Sequence, residues 1–141
     1  MAGEKISRLY CWQTKIEELN IYLASSELGA VRVALGMGSA FDCVEYFKKV
    51  FQHQELVGDH SRNRDLLEAV EAALSGHALP ETLKLDVLLT PFQRAALETI
   101  KKIPFGQTRT YGQVALLLNK PGGARAVGQA MARNPLPLIF P

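Results

Sequence analysis

The stretch from Thr90 to Asn134 constrains the fold most, because it states where its helices begin and end. TPFQ, Thr90 to Gln93, sets a hydroxyl N-cap three residues before a glutamine. Proline follows the cap, at the first helical position, where its missing N–H is not needed. TYGQ, Thr110 to Gln113, repeats the capping-box spacing. The pattern predicts one helix over TPFQRAALETIKKI, closed by Pro104, and a second over TYGQVALLL, ending near Asn119 and Pro121. A third helix is predicted over GGARAVGQAMAR, stopped by Asn134 and Pro135. Two short helices joined by a Pro/Gly turn are the signature of a helix-turn-helix, although an ordinary small helical bundle follows the same grammar.

The preceding half reads as sheet plus helix. Arg8 to Gln13, Ile21 to Ala24 and Ala30 to Leu35 are short runs of aromatic and aliphatic residues, and Val31, Val33 and Leu35 alternate. SSELG supplies turn chemistry between the last two, with Gly29 free to take positive φ, so a hairpin in an antiparallel sheet is predicted. Ser39, three before Asp42, suggests a capping box. Phe41, Val44, Phe47, Val50 and Phe51 then recur at helical spacing and are expected to pack on the sheet. A second helix is predicted from about Asn63 to Leu74, closed by Gly76, and HALPETLKLDVLL is expected to cross over as linker and strand. The fold class is therefore α+β, in two domains, 1–83 and 84–141.

The charge divides at the same place. Residues 1–83 carry 8 basic and 12 acidic side chains, net −4, whereas residues 84–141 carry 8 basic and 2 acidic, net +6. A compact basic segment on an acidic one suits contact with a polyanion, because cationic side chains near phosphates release condensed counterions. With 141 residues, 48% of them hydrophobic, the chain can bury one modest core or two small ones. No apolar run reaches the about 18 residues of a membrane span, and MAGEKISRLYCW lacks the apolar core of a secretory signal. A soluble, cytoplasmic, monomeric protein is expected, nucleoid-associated or, in a eukaryote, nuclear. Cys11 and Cys43 are then expected to be thiols rather than a bridge. With His53, His60 and His77 they match no metal-finger spacing, so neither metal nor cofactor is expected.

The third predicted helix is an unusual reader of DNA. It offers Ala124, Ala126, Gly128, Ala130 and Ala132, with Arg125 and Gln129 among its few long polar side chains. Small residues permit close approach to a narrow groove but supply few base-edge hydrogen bonds, so binding should be nearly independent of sequence. Arg125 could hold open the space of an extruded base or be a solvated charge. Tyr111, between Thr110 and Gly112, could press a phosphate, donate to a base in a pocket, or be a half-buried core residue. Arg109 and Lys120 fit phosphate contacts and solvated charges equally.

TPFQ, IPFGQTRTYGQVA and ARAVGQAMARNPLPLIFP, in this order and spacing, resemble the alkylguanine-DNA alkyltransferases, also called methylated-DNA-protein-cysteine methyltransferases. The resemblance covers Thr90 to Pro141. It implies a ribonuclease-H-like N-terminal domain and a C-terminal winged helix-turn-helix-like domain that enters the minor groove of double-stranded DNA carrying alkylated guanine. It further implies an arginine finger at Arg125, a tyrosine at Tyr111 that helps turn the nucleotide out, and Asn134 bracing the turn that presents the nucleophile. In that family the segment matching LPLIFP leads through a proline, here Pro141, into Cys-His-Arg. The cysteine thiolate takes the alkyl group from the guanine 6-oxygen, once per molecule.

Cys-His-Arg does not occur in the 141 residues, so the expectation is a chain truncated before its nucleophile, with no catalytic residue, that binds DNA without transferring alkyl groups. Two alternatives stand beside it. One is a non-catalytic, alkyltransferase-like lesion-binding protein; the other is an inert remnant with an incomplete core.

Overall fold

The computed structural model describes residues 8–104 and 106–139, in two compact units, Met1–Val87 and Leu88–Pro141. Unit 1 is built on a four-stranded sheet of β1 (Arg8–Ile16), β2 (Leu19–Ser25), β3 (Ala30–Met37) and β4 (Glu55–Gly58), in the order β3-β2-β1-β4. The first three strands form an antiparallel meander, with Trp12 opposite Leu23 and Ile21 opposite Leu35. The fourth lies parallel to β1, pairing Leu9 with Leu56. Helix α1 (Cys43–Lys48) follows β3, and helix α2 (Arg64–Leu74) follows a short 3-10 turn at Ser61–Asn63.

Period-2 alternation puts Cys11, Tyr22 and Ala24 on one face of the sheet, and α1 seals that face with Cys43 and Phe47, the latter fully buried. Tyr46 stacks flat on Tyr22 at 4.1 Å and meets Phe47 edge-on at 5.2 Å, the edge-on contact being worth about 0.5–1.5 kcal/mol beyond simple burial. Helix α2 packs against β2 and buries Leu66, Ala69 and Val70.

One polar side chain ties these layers together. Asn63 is fully buried, and its Nδ2 donates to the carbonyls of Tyr10 and Asp59, both at 3.0 Å, while its Oδ1 accepts from Ser25 Oγ at 2.8 Å. It thus joins β1, β2 and the entry to α2 with every donor and acceptor used, which is the condition under which a buried amide stabilises. At the turn leading into it, the Asp59 carboxylate accepts from Arg62 N and Ser61 Oγ, which holds its pKa below the usual carboxylate range.

Several sequence expectations need correction. The N-cap of α1 is Asp42, whose carboxylate accepts from Val44 N and Glu45 N, rather than Ser39. The helix is one and a half turns long, so of the aromatic stripe Phe47 is buried while Phe41 and Val50 are exposed. Strand β4, in a polar context of HQELVGD, was not foreseen. HALPETLKLDVLL forms no strand; it makes an isolated bridge between Leu85 and Ala30. Ala30 N donates to Lys84 O at 2.8 Å and Asp86 N to Ala30 O at 2.7 Å, so 84–87 belong to unit 1 and the units part after Val87. Gly29 is required here, because a Cβ on it would lie 2.5 Å from Lys84 O.

Unit 2 follows its capping signals closely. Helices α3 (Pro91–Lys101) and α4 (Tyr111–Leu117) each begin with a complete capping box, Thr90 with Gln93 and Thr110 with Gln113. Helix α5 (Ala124–Ala132) begins after Gly123. Ile100, Val114, Ala115 and Val127 form the center of its core, flanked by Phe92, Ile103, Leu118 and Met131. Among the described residues no helix is long and apolar enough to cross a membrane.

Replacing Asn63 by Ala should destabilise the chain by about 2–4 kcal/mol, because two buried carbonyls and a hydroxyl lose their partner together. Ser25→Ala, which removes one bond of the three, should cost about 1 kcal/mol. Urea midpoints measure both, and equal losses would show that Asn63 does not act as the shared bracket.

Candidate nucleic-acid interface

Helices α4 and α5 are joined by a turn whose conformation is set by its residues. Lys120 N donates back to Ala115 O and Gly123 N to Lys120 O, both at 2.9 Å. Asn119 and Gly122 take left-handed backbone at φ 58° and 80°, conformations that asparagine and glycine tolerate. A Cβ at Gly123 would lie 2.9 Å from Lys120 O, so the turn needs glycine there to bring α5 back onto α4. Val114, Ala115 and Val127 then close the interface from within.

That turn fixes what lies on the outside. The Thr110 side chain caps α4 through Gln113 N at 3.1 Å, and its own N donates to Gln113 Oε1 at 2.8 Å. Tyr111, the first residue of α4, is 49% exposed. Its ring lies beside α5 at Gly128, where an added Cβ would come within 3.2 Å of Cε2 and 3.3 Å of Cδ2. Gly112 is exposed next to it. On α5, Arg125 and Ala126 are exposed, Ala124 and Gly128 are half-buried, and Val127 and Ala130 face the interior. The alanines therefore divide, with Ala130 packing inward and Ala126 and Ala132 outward.

The charges on this unit are nearly all of one sign. Glu98 is the one carboxylate side chain of residues 88–141, against seven lysines and arginines. Among the described residues the Arg125 side chain makes no ion pair or hydrogen bond, and the residue is exposed. Arg109 differs, since its guanidinium donates to Thr108 O at 2.8 Å and to Gln107 Oε1 at 3.2 Å within its own loop. Lys120 is exposed on the turn.

After α5 the chain folds over itself. Asn134 Oδ1 accepts from Leu136 N at 2.9 Å, an Asx turn that reverses direction at Pro135. Leu136 and Ile139 are fully buried, and Leu138 between them is held at φ 75°, an uncommon conformation for a leucine. Pro141 lies outside the described residues. The contact of Tyr111 with Gly128 was not expected from the sequence. Its one signal in the sequence was a glycine at a helix interior where alanine would be the stronger helix former.

Cys11 and Cys43 are both in unit 1 and both buried, and burial raises each thiol above its ordinary pKa. Neither is an exposed thiolate of the kind that attacks an alkyl group. Among the described residues no three His, Cys, Asp or Glu side chains gather as a metal site.

Residues 91–141 match the family described as 6-O-methylguanine DNA methyltransferase, DNA binding domain. A methylated-DNA–protein-cysteine methyltransferase from Mycobacterium leprae is 34% identical over 119 residues, which cover 82% of this chain and 71% of that protein. The inducible methylated-DNA–protein-cysteine methyltransferase of Bacillus subtilis is 30% identical over 133 residues, 94% of this chain and 74% of the relative. Among solved structures, Mycobacterium tuberculosis OGT in complex with DNA superposes with a TM-score of 0.69 at 24% identity, covering 94% of this chain and 74% of that one, and so shares the mixed α+β fold. The alignments run through both units and cover more than two thirds of the relatives' length: the chain belongs to the methylated-DNA–protein-cysteine methyltransferase family.

Proposed function

We propose that this chain takes part in direct repair of alkylated guanine, and that the outer surface of α4 and α5 is its DNA-binding surface. The observation that carries the reading is the pairing of a half-exposed Tyr111 ring, seated against Gly128, with an unpartnered Arg125 on the same helix as that glycine. A duplex with little sequence preference is the partner. Ala124, Ala126 and Gly128 keep the helix slim enough to approach the minor groove, where few base-edge hydrogen bonds are available. Tyr111 presses the damaged nucleotide out of the stack, and the Arg125 guanidinium, planar and rich in donors, fills the gap it leaves. Thr110 and Gly112 hold and clear the ground around the ring. Asn134, through its bond to Leu136 N, braces the turn that follows α5, as the resemblance implies for the segment before the alkyl acceptor of this family.

The transfer itself moves an alkyl group from the guanine 6-oxygen to a cysteine sulfur. Cys11 and Cys43 are unsuited to it by burial, and the outer surface of α4 and α5 serves to find and expose the lesion. The same surface would serve a lesion-binding protein that does not transfer. For unit 1, the antiparallel meander with a parallel fourth strand supports a ribonuclease-H-like reading. For unit 2, the capped pair α4 and α5 supports a helix-turn-helix of the winged type.

Two outcomes are expected. Arg125→Ala should weaken binding to a duplex containing O6-methylguanine by about 1–3 kcal/mol and lower the salt dependence, while the urea midpoint stays within error. Unchanged affinity would sink the role of Arg125. When the 141-residue chain is incubated with DNA carrying a labelled methyl group, it should remain unlabelled, and label found on Cys11 or Cys43 would contradict the assignment.

Gly128→Ala separates positioning from folding. The extra methyl should gain up to about 1 kcal/mol of helix propensity, while the half-exposed Tyr111 ring can yield by a few tenths of an ångström. The variant should therefore be as stable as the parent yet bind the methylguanine duplex more weakly. The same substitution in a Tyr111→Ala background should cost no further affinity, since the ring it displaces is gone.

A further inference from the structure

Cys11 in β1 and Cys43 at the start of α1 are 32 positions apart in sequence, and their sulfurs meet inside unit 1. The Cys11 thiol donates to Cys43 Sγ at 2.8 Å, well inside the about 3.5–4 Å at which carbon-sized atoms reach their optimum. Both side chains are buried, at 0% and 4% exposure, among Tyr22, Ala24 and Phe47. The helix end that carries Cys43 is held in place twice, by the Asp42 cap and by a hydrogen bond from Cys43 N to the Gln13 side chain. Contact with no third metal-ligating group among the described residues leaves the sulfurs to react with each other. Closing from 2.8 Å to the about 2.05 Å of a disulfide requires a shift of under about 1 Å.

We propose that Cys11 and Cys43 are a two-cysteine redox site that closes into an intramolecular disulfide between β1 and α1 when a low-molecular-weight disulfide is the oxidant. The Cys43 thiolate attacks one sulfur of the oxidant and expels the first small thiol, leaving a mixed disulfide. Cys11, losing its proton, then attacks Cys43 Sγ and expels the second. Two protein thiols are oxidised, one small disulfide is reduced to two thiols, and the two protons leave with them. Cys43 goes first because it accepts the Cys11 S–H, a contact that favours its thiolate and disfavours that of Cys11.

Burial governs the rate in both directions. It raises both thiols, so attack waits for α1 to lift. This helix has six residues, flanked by the exposed Phe41 and Val50. Once formed, the bond is covered by the same side chains and is reached slowly by reductant. The site is reduced by default, and a sustained oxidant locks α1 to the sheet.

The test uses the 141-residue chain, incubated natively with oxidised glutathione, then denatured, alkylated with N-ethylmaleimide and weighed intact. The expected product has no maleimide adduct and has lost the mass of two hydrogens. Its unfolding constant should fall on the order of a hundredfold until reductant is added. Cys11→Ala should stop at a glutathione adduct on Cys43 with no gain in stability. Two maleimide adducts, a persistent mixed disulfide on the parent chain, or a disulfide-linked dimer at the end of that native incubation would overturn the proposal.

Discussion

The flank of the Tyr111 ring lies against main chain at Gly128, and the functional reading of unit 2 depends on that contact. An aromatic on the first turn of a short helix is ordinarily free to swing, and a free ring loses conformational entropy when it is placed against a nucleotide. Here the neighboring helix supplies a surface with no side chain, so the ring is set before any ligand arrives. The contact exists because the Asn119 to Gly123 turn folds α5 tightly over α4, and that turn is possible because residues 119, 122 and 123 accept backbone that larger residues resist. Three glycines, at 122, 123 and 128, and Asn119 thus determine where one tyrosine sits.

Unit 1 is organised by different means. Its sheet is held by ladder hydrogen bonds and by aromatic packing around Phe47, but the junction of β1, β2 and the entry to α2 depends on the fully bonded amide of Asn63. Polar brackets of this kind add specificity, because an arrangement that breaks these three bonds leaves the buried amide without partners. The acidic composition of this half and the basic composition of the other fit one unit that serves as scaffold and one that meets a polyanion.

Unit 2 was legible in the sequence because its signals are local. Thr90 with Gln93 and Thr110 with Gln113 satisfy backbone donors within one turn, so the spacing of letters is itself the structure. Unit 1 was legible only in part. β1 and β2 are legible as short aromatic and aliphatic runs and β3 by its alternation, yet β4 pairs with β1 across 47 positions and carries no run of β-formers, so no local pattern announces it. Ser39 and Asp42 both satisfy the chemistry of an N-cap, and it was the packing of Cys43 and Phe47 on the sheet that settled which residue begins α1. At the site, the residue types on α4 and α5 could be read directly, including Arg125 and Tyr111. Their juxtaposition through Gly128 could not, because it depends on how the intervening turn folds.

The central claim is that Tyr111 and Arg125 together turn a damaged nucleotide out of the duplex, and unstacking can be observed directly. With 2-aminopurine placed beside O6-methylguanine, the parent chain should raise the fluorescence of the probe as its neighbor leaves the stack. Tyr111→Ala and Arg125→Ala should each lose most of that rise at concentrations where the duplex is still bound. A saturated complex of the parent chain with no rise in fluorescence would contradict the claim.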